Sequence, residues 1–119
     1  MAKKLNETDR EKQQAVFERF SLYRAMNDYL ELKPNAGPED WKELERLKAE
    51  LLALTGKLGF CKERNIIENK FIFDKSRRVI CREMLISEET YIKLYRRGML
   101  RLYEIITEEN AQRRDGDDL

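Results

Sequence analysis

Apolar residues recur at steps of three and four along most of the chain, the spacing that places them on one face of an α-helix. In residues 15–32 the recurring positions are Val16, Phe20, Tyr23, Met26 or Asn27, and Leu30. Pro34 then disfavours the α conformation of the residue before it and ends this first helix. Residues 1–13 are polar, and we expect them to be frayed or loosely helical.

A second helix is predicted to begin at Pro38, because proline suits the first turn of a helix, and to end near Gly56 and Gly59. Its apolar positions form a leucine seam, made of Leu44, Leu47, Leu51, Leu54 and Leu58. Packing against the first helix is the favoured use of this seam, and a homodimer through it stays open. Together the two helices predict an amino-terminal helical hairpin over residues 1–57.

Three more helices are predicted, over residues 60–72, 75–84 and 88–108. The first of these has an apolar face made of Phe60, Ile66, Ile67 and Phe71. Either Asp74 or Ser76 can cap the second, because both side chains accept backbone N–H groups at a helix start.

The remaining segments contain little that opposes a helical fold. A strand has room only in residues 70–73, and none is convincing there. The acidic stretch 109–119 is most simply a disordered tail. We therefore predict an all-α fold, with an amino-terminal helical hairpin followed by a three-helix unit.

The chain is organised around residues 76–105, where a short helix, a tight turn and a longer helix opened by Ser87 follow one another. After the serine the apolar positions are Tyr91, Leu94, Met99, Leu102 and Ile105. Such a pair with outward basic residues is typical of a helix-turn-helix, and the alternative is an ordinary antiparallel pair in a bundle. Gly98 lies on the inward face at a cost of about 1 kcal/mol relative to alanine, so we expect a close helix approach there.

The candidate DNA-binding residues are the outward side chains of this pair: Arg77, Arg78, Arg82, Glu88, Glu89, Thr90, Lys93, Arg96 and Arg97. The basic members can neutralise phosphates, and those before the turn would position the protein on the DNA backbone. Glu88 or Glu89 can accept a hydrogen bond from a cytosine amino group, although both also repel phosphates. The alternative interpretation of the arginines is a solvated helix face.

The amino-acid composition argues against several classes of function. There is no histidine, and Cys61 and Cys81 lack metal-ligand spacing, which argues against zinc sites and histidine-based catalysis. No nucleophile, base and orienting group can be assembled, so we predict neither an enzyme nor a bound cofactor or metal. The charged amino terminus lacks the apolar run of a signal peptide, and no segment has the apolar length of a membrane span. We therefore expect a cytoplasmic protein with no membrane partner.

The net charge of +1 conceals an uneven distribution. Residues 1–59 hold 11 Lys and Arg against 11 Asp and Glu. Residues 60–106 hold 11 against 7, a net charge of +4, and residues 107–119 hold 2 against 5, a net charge of −3. The positive excess coincides with the predicted helix-turn-helix, which permits a nucleic-acid partner without requiring one.

Three segments carry a family resemblance: residues 63–71, 79–91 and 96–102. Their motifs are Glu63-Arg64-Asn65-Ile66-Ile67, then Met84-Leu85-Ile86-Ser87-Glu88-Glu89-Thr90-Tyr91, then Arg96-Arg97-Gly98-Met99-Leu100-Arg101-Leu102. In this register they resemble region 4 of bacterial sigma factors and, more closely, the sigma-like, ArpU-type regulators of phages and prophages. The matching part is a little over a third of the chain.

The resemblance implies that residues 58–108 form a sigma-region-4-like unit that regulates transcription by binding double-stranded promoter DNA, with RNA polymerase as a further partner. It places the base-reading helix on Glu88, Glu89, Thr90, Lys93 and Arg97. The chain departs from the family pattern at Leu85, where glycine is usual, at Gly98, where alanine is usual, and at Glu88, where a basic residue is usual. The alternatives are a protein-interaction adaptor that binds RNA polymerase or another phage protein, and a DNA-recognition component of phage packaging.

Overall fold

The computed structural model describes the backbone of residues 8–117 and the side chains of residues 8–112. This part of the chain forms five α-helices and no strand, as the sequence predicts. In chain order they are α1 Asp9–Leu32, α2 Pro38–Gly56, α3 Lys62–Phe71, α4 Arg77–Met84 and α5 Glu88–Asp117. Within the described residues, no helix combines the length and the apolar character needed to cross a membrane.

α1 begins earlier than the apolar pattern predicts. The Thr8 hydroxyl oxygen accepts the N–H of Glu11 at 3.2 Å, and the Thr8 O–H donates to the Glu11 carboxylate at 3.2 Å. A threonine followed three residues later by glutamate has the spacing of a capping box, which starts a helix without needing buried apolar residues. Residues 9–13, which were expected to be frayed or loosely helical, therefore belong to a regular helix; residues 1–7 lie outside the described part.

The connection between α1 and α2 is held by Asp40. Its carboxylate accepts the Lys33 ammonium at 3.1 Å and the backbone N–H of Gly37 at 3.2 Å. These bonds lower the pKa of Asp40, and the Asp40 carboxylate in turn raises the pKa of Lys33. Pro38 occupies the first turn of α2, where its missing N–H costs nothing.

The leucine seam of α2 packs inside the chain. Leu44, Leu51 and Leu54 are buried, and Leu47 and Leu58 are partly buried against the same core. α2 contacts α1 and α3, so the seam serves the intramolecular packing that the sequence favours.

α5 makes the most extensive helix contacts, against α1, α3 and α4, while α3 packs against all four other helices. The main core joins α1, α2, α3 and α5, with Phe20, Ile67, Met99 and Leu102 among its most buried side chains. A second, smaller core fixes α4 to α3 and α5 through Ile66, Ile80, Cys81 and Tyr91.

The close approach expected at Gly98 is present. A Cβ atom at this position would lie 2.6 Å from Ile67 Cδ1 and 3.0 Å from Glu63 Cβ, closer than ordinary van der Waals contact. Glycine therefore lets α3 lie directly on α5, which fixes the position of the α5 start relative to the rest of the chain.

The start of α3 differs from the sequence prediction. The helix begins at Lys62, and Phe60, predicted to lie on its apolar face, is fully exposed. Gly59 at φ +82° and the extended Cys61 turn the chain before the helix begins, so Phe60 points away from the core. The Arg64 guanidinium lies 5.6 Å from the Phe60 ring centroid. Residues 70–73 form no strand, since Phe71 still belongs to α3 and a turn follows.

α5 continues to Asp117, past the predicted end near Thr107 or Glu108. It therefore includes most of the stretch 109–119 that was predicted as a disordered tail. Residues 108–115 contain neither proline nor glycine and are rich in Glu, Gln, Ala and Arg, which favour helix. Lys57 forms an ion pair with Glu109, which ties the end of α2 to this part of α5.

Candidate nucleic-acid interface

Only three residues, 85–87, separate α4 from α5, and the first adopts a left-handed conformation. Leu85 has φ 56° and ψ 46°, the positive φ expected at this glycine-favoured position. The N–H of Ile86 donates to the carbonyl of Cys81 at 3.0 Å, which closes the end of α4 in the manner of a left-handed helix cap. The Leu85 side chain is 91% exposed, so no burial offsets the backbone strain.

Ser87 caps α5. Its Oγ accepts the backbone N–H of Thr90 at 3.1 Å, and its O–H donates to the Thr90 hydroxyl oxygen at 3.0 Å. Glu88 and Glu89 occupy the first turn, where carboxylates interact favourably with the helix dipole. The two acids thus stabilise the end of the helix that was predicted to approach DNA, and the Thr90 hydroxyl is already engaged within the chain.

Ser76 performs the same function for α4. Its Oγ accepts the N–H of Val79 at 3.3 Å, so Ser76 rather than Asp74 is the cap. Asp74 adopts a positive φ of 55° and pairs with Arg24 of α1 at 3.2 Å. Arg77 and Arg78, in the turn that follows this cap, have exposed side chains.

All predicted DNA-binding residues have exposed side chains on α4 or on the first three turns of α5; they are Arg77, Arg78, Arg82, Glu88, Glu89, Thr90, Lys93, Arg96 and Arg97. Exposure makes them available to a partner but does not by itself identify one.

Their charges are compensated unequally. Lys93 lies 3.9 Å from Glu89 on the same helix, and Arg96 donates to Asp9 of α1 at 2.7 Å. Within the described part of the chain, no carboxylate lies within 4 Å of the four other basic residues, Arg77, Arg78, Arg82 and Arg97. The uncompensated positive charge therefore lies on α4 and on the third turn of α5.

The contact between Arg96 and Asp9 was not foreseen from the sequence. It joins residues 87 positions apart and places the acidic start of α1 beside the early turns of α5. The spacing of Thr8 and Glu11 was a signal that could have placed the start of α1, but nothing local could have paired that start with α5.

A shallow groove of about 430 Å³, which the sequence did not predict, lies on the same side of the molecule as Arg77 and Ile92. We call it the aromatic groove. It lies between α1, α3, α4 and α5 and is lined by Phe17, Lys70, Arg77, Tyr91, Ile92 and Tyr95. A depression of about 250 Å³ shares two of these residues and continues along α1 past Arg10, Gln13 and Gln14.

The aromatic groove has an unusual electrostatic environment. The Lys70 ammonium lies 5.6 Å from the ring centroid of Phe71 and 5.7 Å from that of Tyr95, within the range of cation–π attraction. Burial raises the pKa of Tyr95 to about 12, and burial also raises the pKa of Tyr91. An ordinary tyrosine is already neutral at physiological pH, and burial keeps these two phenols neutral to a higher pH.

The described residues contain no cluster of metal-ligating side chains. In residues 8–112, no three His, Cys, Asp or Glu side chains come close enough to hold a metal ion. No protein-family model, no curated protein and no solved structure matches the chain. The resemblance to sigma-like regulators therefore stays a prediction based on the sequence motifs.

Proposed function

We propose that the chain is a DNA-binding transcriptional regulator of a phage or prophage, in which α4, the turn at residues 85–87 and α5 act as a sigma-like helix-turn-helix. The first turns of α5 enter the major groove of promoter DNA, and the arginines of α4 contact the phosphate backbone. The hairpin of α1 and α2 supports this unit by packing against α3 and α5.

The observation that carries the proposal is the set of exposed arginines without a carboxylate partner. Six arginines with described side chains lack one, and four of them lie on α4 and α5: Arg77, Arg78, Arg82 and Arg97. By contrast, Arg46, Arg64 and Arg101 each meet a carboxylate on their own helix. An arginine that has no internal ion pair to break contributes its full favourable binding free energy when it contacts a phosphate.

The acidic residues at the same surface set a limit on affinity. Glu88 and Glu89 sit at the end of α5 that enters the groove, and Asp9 neutralises Arg96. Because carboxylates repel phosphates, we expect weak binding to random duplex DNA. Sequence-specific binding would require a compensating hydrogen bond, such as one from a cytosine amino group to Glu88 or Glu89.

The test is the salt dependence of duplex DNA binding, measured by fluorescence anisotropy for the wild type and for Lys93→Ala with Arg97→Ala. Loss of two phosphate contacts should make the slope of log K against log salt shallower by about 2. The matched control is Lys42→Ala with Lys48→Ala, which removes the same charge from α2 and should leave the slope nearly unchanged. Failure of the wild type to bind duplex DNA even at low salt would refute the proposal.

Glu88→Lys tests how the first turn of α5 contributes. If Glu88 only stabilises the helix end and repels phosphates, the variant should bind all duplexes more tightly. If Glu88 contacts a base, the preferred sequence should change while affinity for random DNA rises less.

A protein-interaction adaptor is the second candidate, and one observation favours it. The exposed Leu85 side chain lies in the turn three residues before Glu88, and an exposed apolar residue near two acids suits a protein partner better than DNA. Under this alternative, Leu85→Ser abolishes binding to RNA polymerase or another phage protein, whereas the arginine substitutions on α4 and α5 have little effect.

A further inference from the structure

The aromatic groove and its continuation along α1 are positively charged. Three cations line them, Arg10, Lys70 and Arg77, and none of the described lining residues is a carboxylate. The whole chain holds 24 basic and 23 acidic residues, so this absence of acids is a local departure from its balance. Lys70 and Arg77 also have no carboxylate within 4 Å among the described residues, and an acidic occupant would therefore be attracted.

The apolar part of the groove is bounded by two exposed side chains. Ile92 is 52% exposed on α5 and Phe17 is 40% exposed on α1. Both residues line the same groove, although they belong to helices far apart in sequence. Exposed apolar side chains that face a common depression are typical of a site for an apolar side chain of a partner.

The ring geometry distinguishes between occupants. Tyr91 is only 5% exposed, and its ring is stacked parallel to that of Tyr95 at 6.0 Å between centroids. Tyr95 in turn is covered by the Lys70 ammonium and packs 6.4 Å from Phe71. Proteins that bind single-stranded nucleic acid offer open ring faces on which bases stack, and these two tyrosines do not.

We propose that the aromatic groove binds a peptide segment of a partner protein in which an aliphatic or aromatic side chain is flanked by carboxylates. The apolar side chain lies between Ile92 and Phe17, and the carboxylates bind Lys70 and Arg77. The amide of Gln13 is placed to meet the peptide backbone where it continues along α1, whereas the Gln14 amide donates to Glu18 at 3.3 Å. Arg77 is shared with the proposed phosphate contacts of α4, whereas Lys70, Phe17 and Ile92 are not among the proposed DNA contacts. Substitutions at Lys70 and Ile92 therefore test this proposal separately from DNA binding.

The experiment is selection from a random-peptide display library on the full chain, followed by affinity measurement with the enriched peptides. We expect sequences with an aliphatic or aromatic residue between Asp or Glu residues. Lys70→Ala and Ile92→Ser should each weaken binding about tenfold, as for central contacts of an interface. Lys42→Ala and Leu22→Ser, which remove a cation and an exposed leucine elsewhere, should change affinity less than twofold.

Three outcomes would overturn the proposal. The library could yield no enriched peptide, or enriched peptides that are neutral or basic. The binding of an acidic peptide could be insensitive to both groove substitutions while circular dichroism shows that the variants are folded. Finally, an oligothymidylate could bind with the sensitivity to Lys70→Ala and Ile92→Ser expected for the peptide, and the groove would then be a nucleic-acid site. Arg77 is left unchanged in every variant, so a failure here is distinguishable from a failure of DNA binding.

Discussion

Replacing Leu85 by glycine should stabilise the protein. Leu85 ends α4 at φ 56° and ψ 46°, a conformation that brings the Cβ of an L-residue too close to its own backbone. Its side chain is 91% exposed, so it contributes almost no buried apolar area. The substitution Leu85→Gly thus removes strain while it sacrifices very little packing.

The magnitude follows from two opposing contributions. A left-handed conformation costs an L-residue about 1–2 kcal/mol. Glycine avoids this cost, but the greater freedom of the unfolded chain reduces the gain by about 0.5–1 kcal/mol. We therefore expect Leu85→Gly to raise the free energy of unfolding by about 0.5–1 kcal/mol.

Urea unfolding followed by far-ultraviolet circular dichroism measures this change. With a slope near 2 kcal/mol per molar urea, the midpoint should rise by about 0.4 M without a change of slope. Leu85→Ala is the matched control, because alanine loses the same exposed side chain but keeps the Cβ and should gain nothing. If Leu85→Gly is no more stable than Leu85→Ala, the strain argument is wrong.

Three further changes test the packing and the caps. Gly98→Ala should lower the free energy of unfolding by about 1 kcal/mol in chemical denaturation, because overpacking against Ile67 exceeds the gain in helix propensity. Adding Ile67→Val removes the atom nearest to the new Cβ and should recover most of this loss. Ser87→Ala should cost about 1 kcal/mol in the same assay because the cap of α5 is lost, whereas Ser87→Asp should not. An ultraviolet titration should show that Tyr95 ionises near pH 12. Because a tyrosine in the unfolded chain has a pKa near 10, the free energy of unfolding should fall as the pH rises from about 10 towards 12.

Each of these predictions has an outcome that would contradict it. Additive effects of the Gly98 and Ile67 substitutions would mean that the two positions do not contact each other. A Ser87→Asp variant as unstable as Ser87→Ala would show that a capping side chain at position 87 does not stabilise the start of α5. A titration curve that is unchanged by Tyr95→Phe above pH 10 would show that the late-ionising phenol is another residue.

The features that sequence predicts best here are those fixed by local chemistry. The cap at Ser87 follows from neighbouring residues, because a helix start must satisfy its own N–H groups. The left-handed turn at Leu85 was indicated only by the family resemblance, in which glycine is usual at that position. The close approach at Gly98 was also predictable, since a glycine inside a helix is costly unless a neighbouring element needs the space. The all-α class followed from apolar spacing over long segments.

The features that sequence missed depend on which helices meet. Phe60 fits the helical spacing of α3, but the turn at Gly59 removes it from the helix. The pairing of Arg96 with Asp9 and the assembly of the aromatic groove require α1 to lie along α5, and no pattern within either helix specifies that contact. The late end of α5 was missed because residues 107–112 have mostly exposed side chains and no apolar pattern, so only their helix propensity could have extended the predicted helix.

Chemical-shift mapping of the backbone amides during titration with a mixed-sequence DNA duplex at low salt tests the central claim most directly. We predict that the largest shifts occur at the start of α4, at residues 76–78, and at residues 87–97, and that raising the salt concentration reverses them. The amides of α2 should remain unchanged. The absence of shifts at low salt, or shifts confined to α2 and the second half of α1, would contradict the assignment of this surface to DNA.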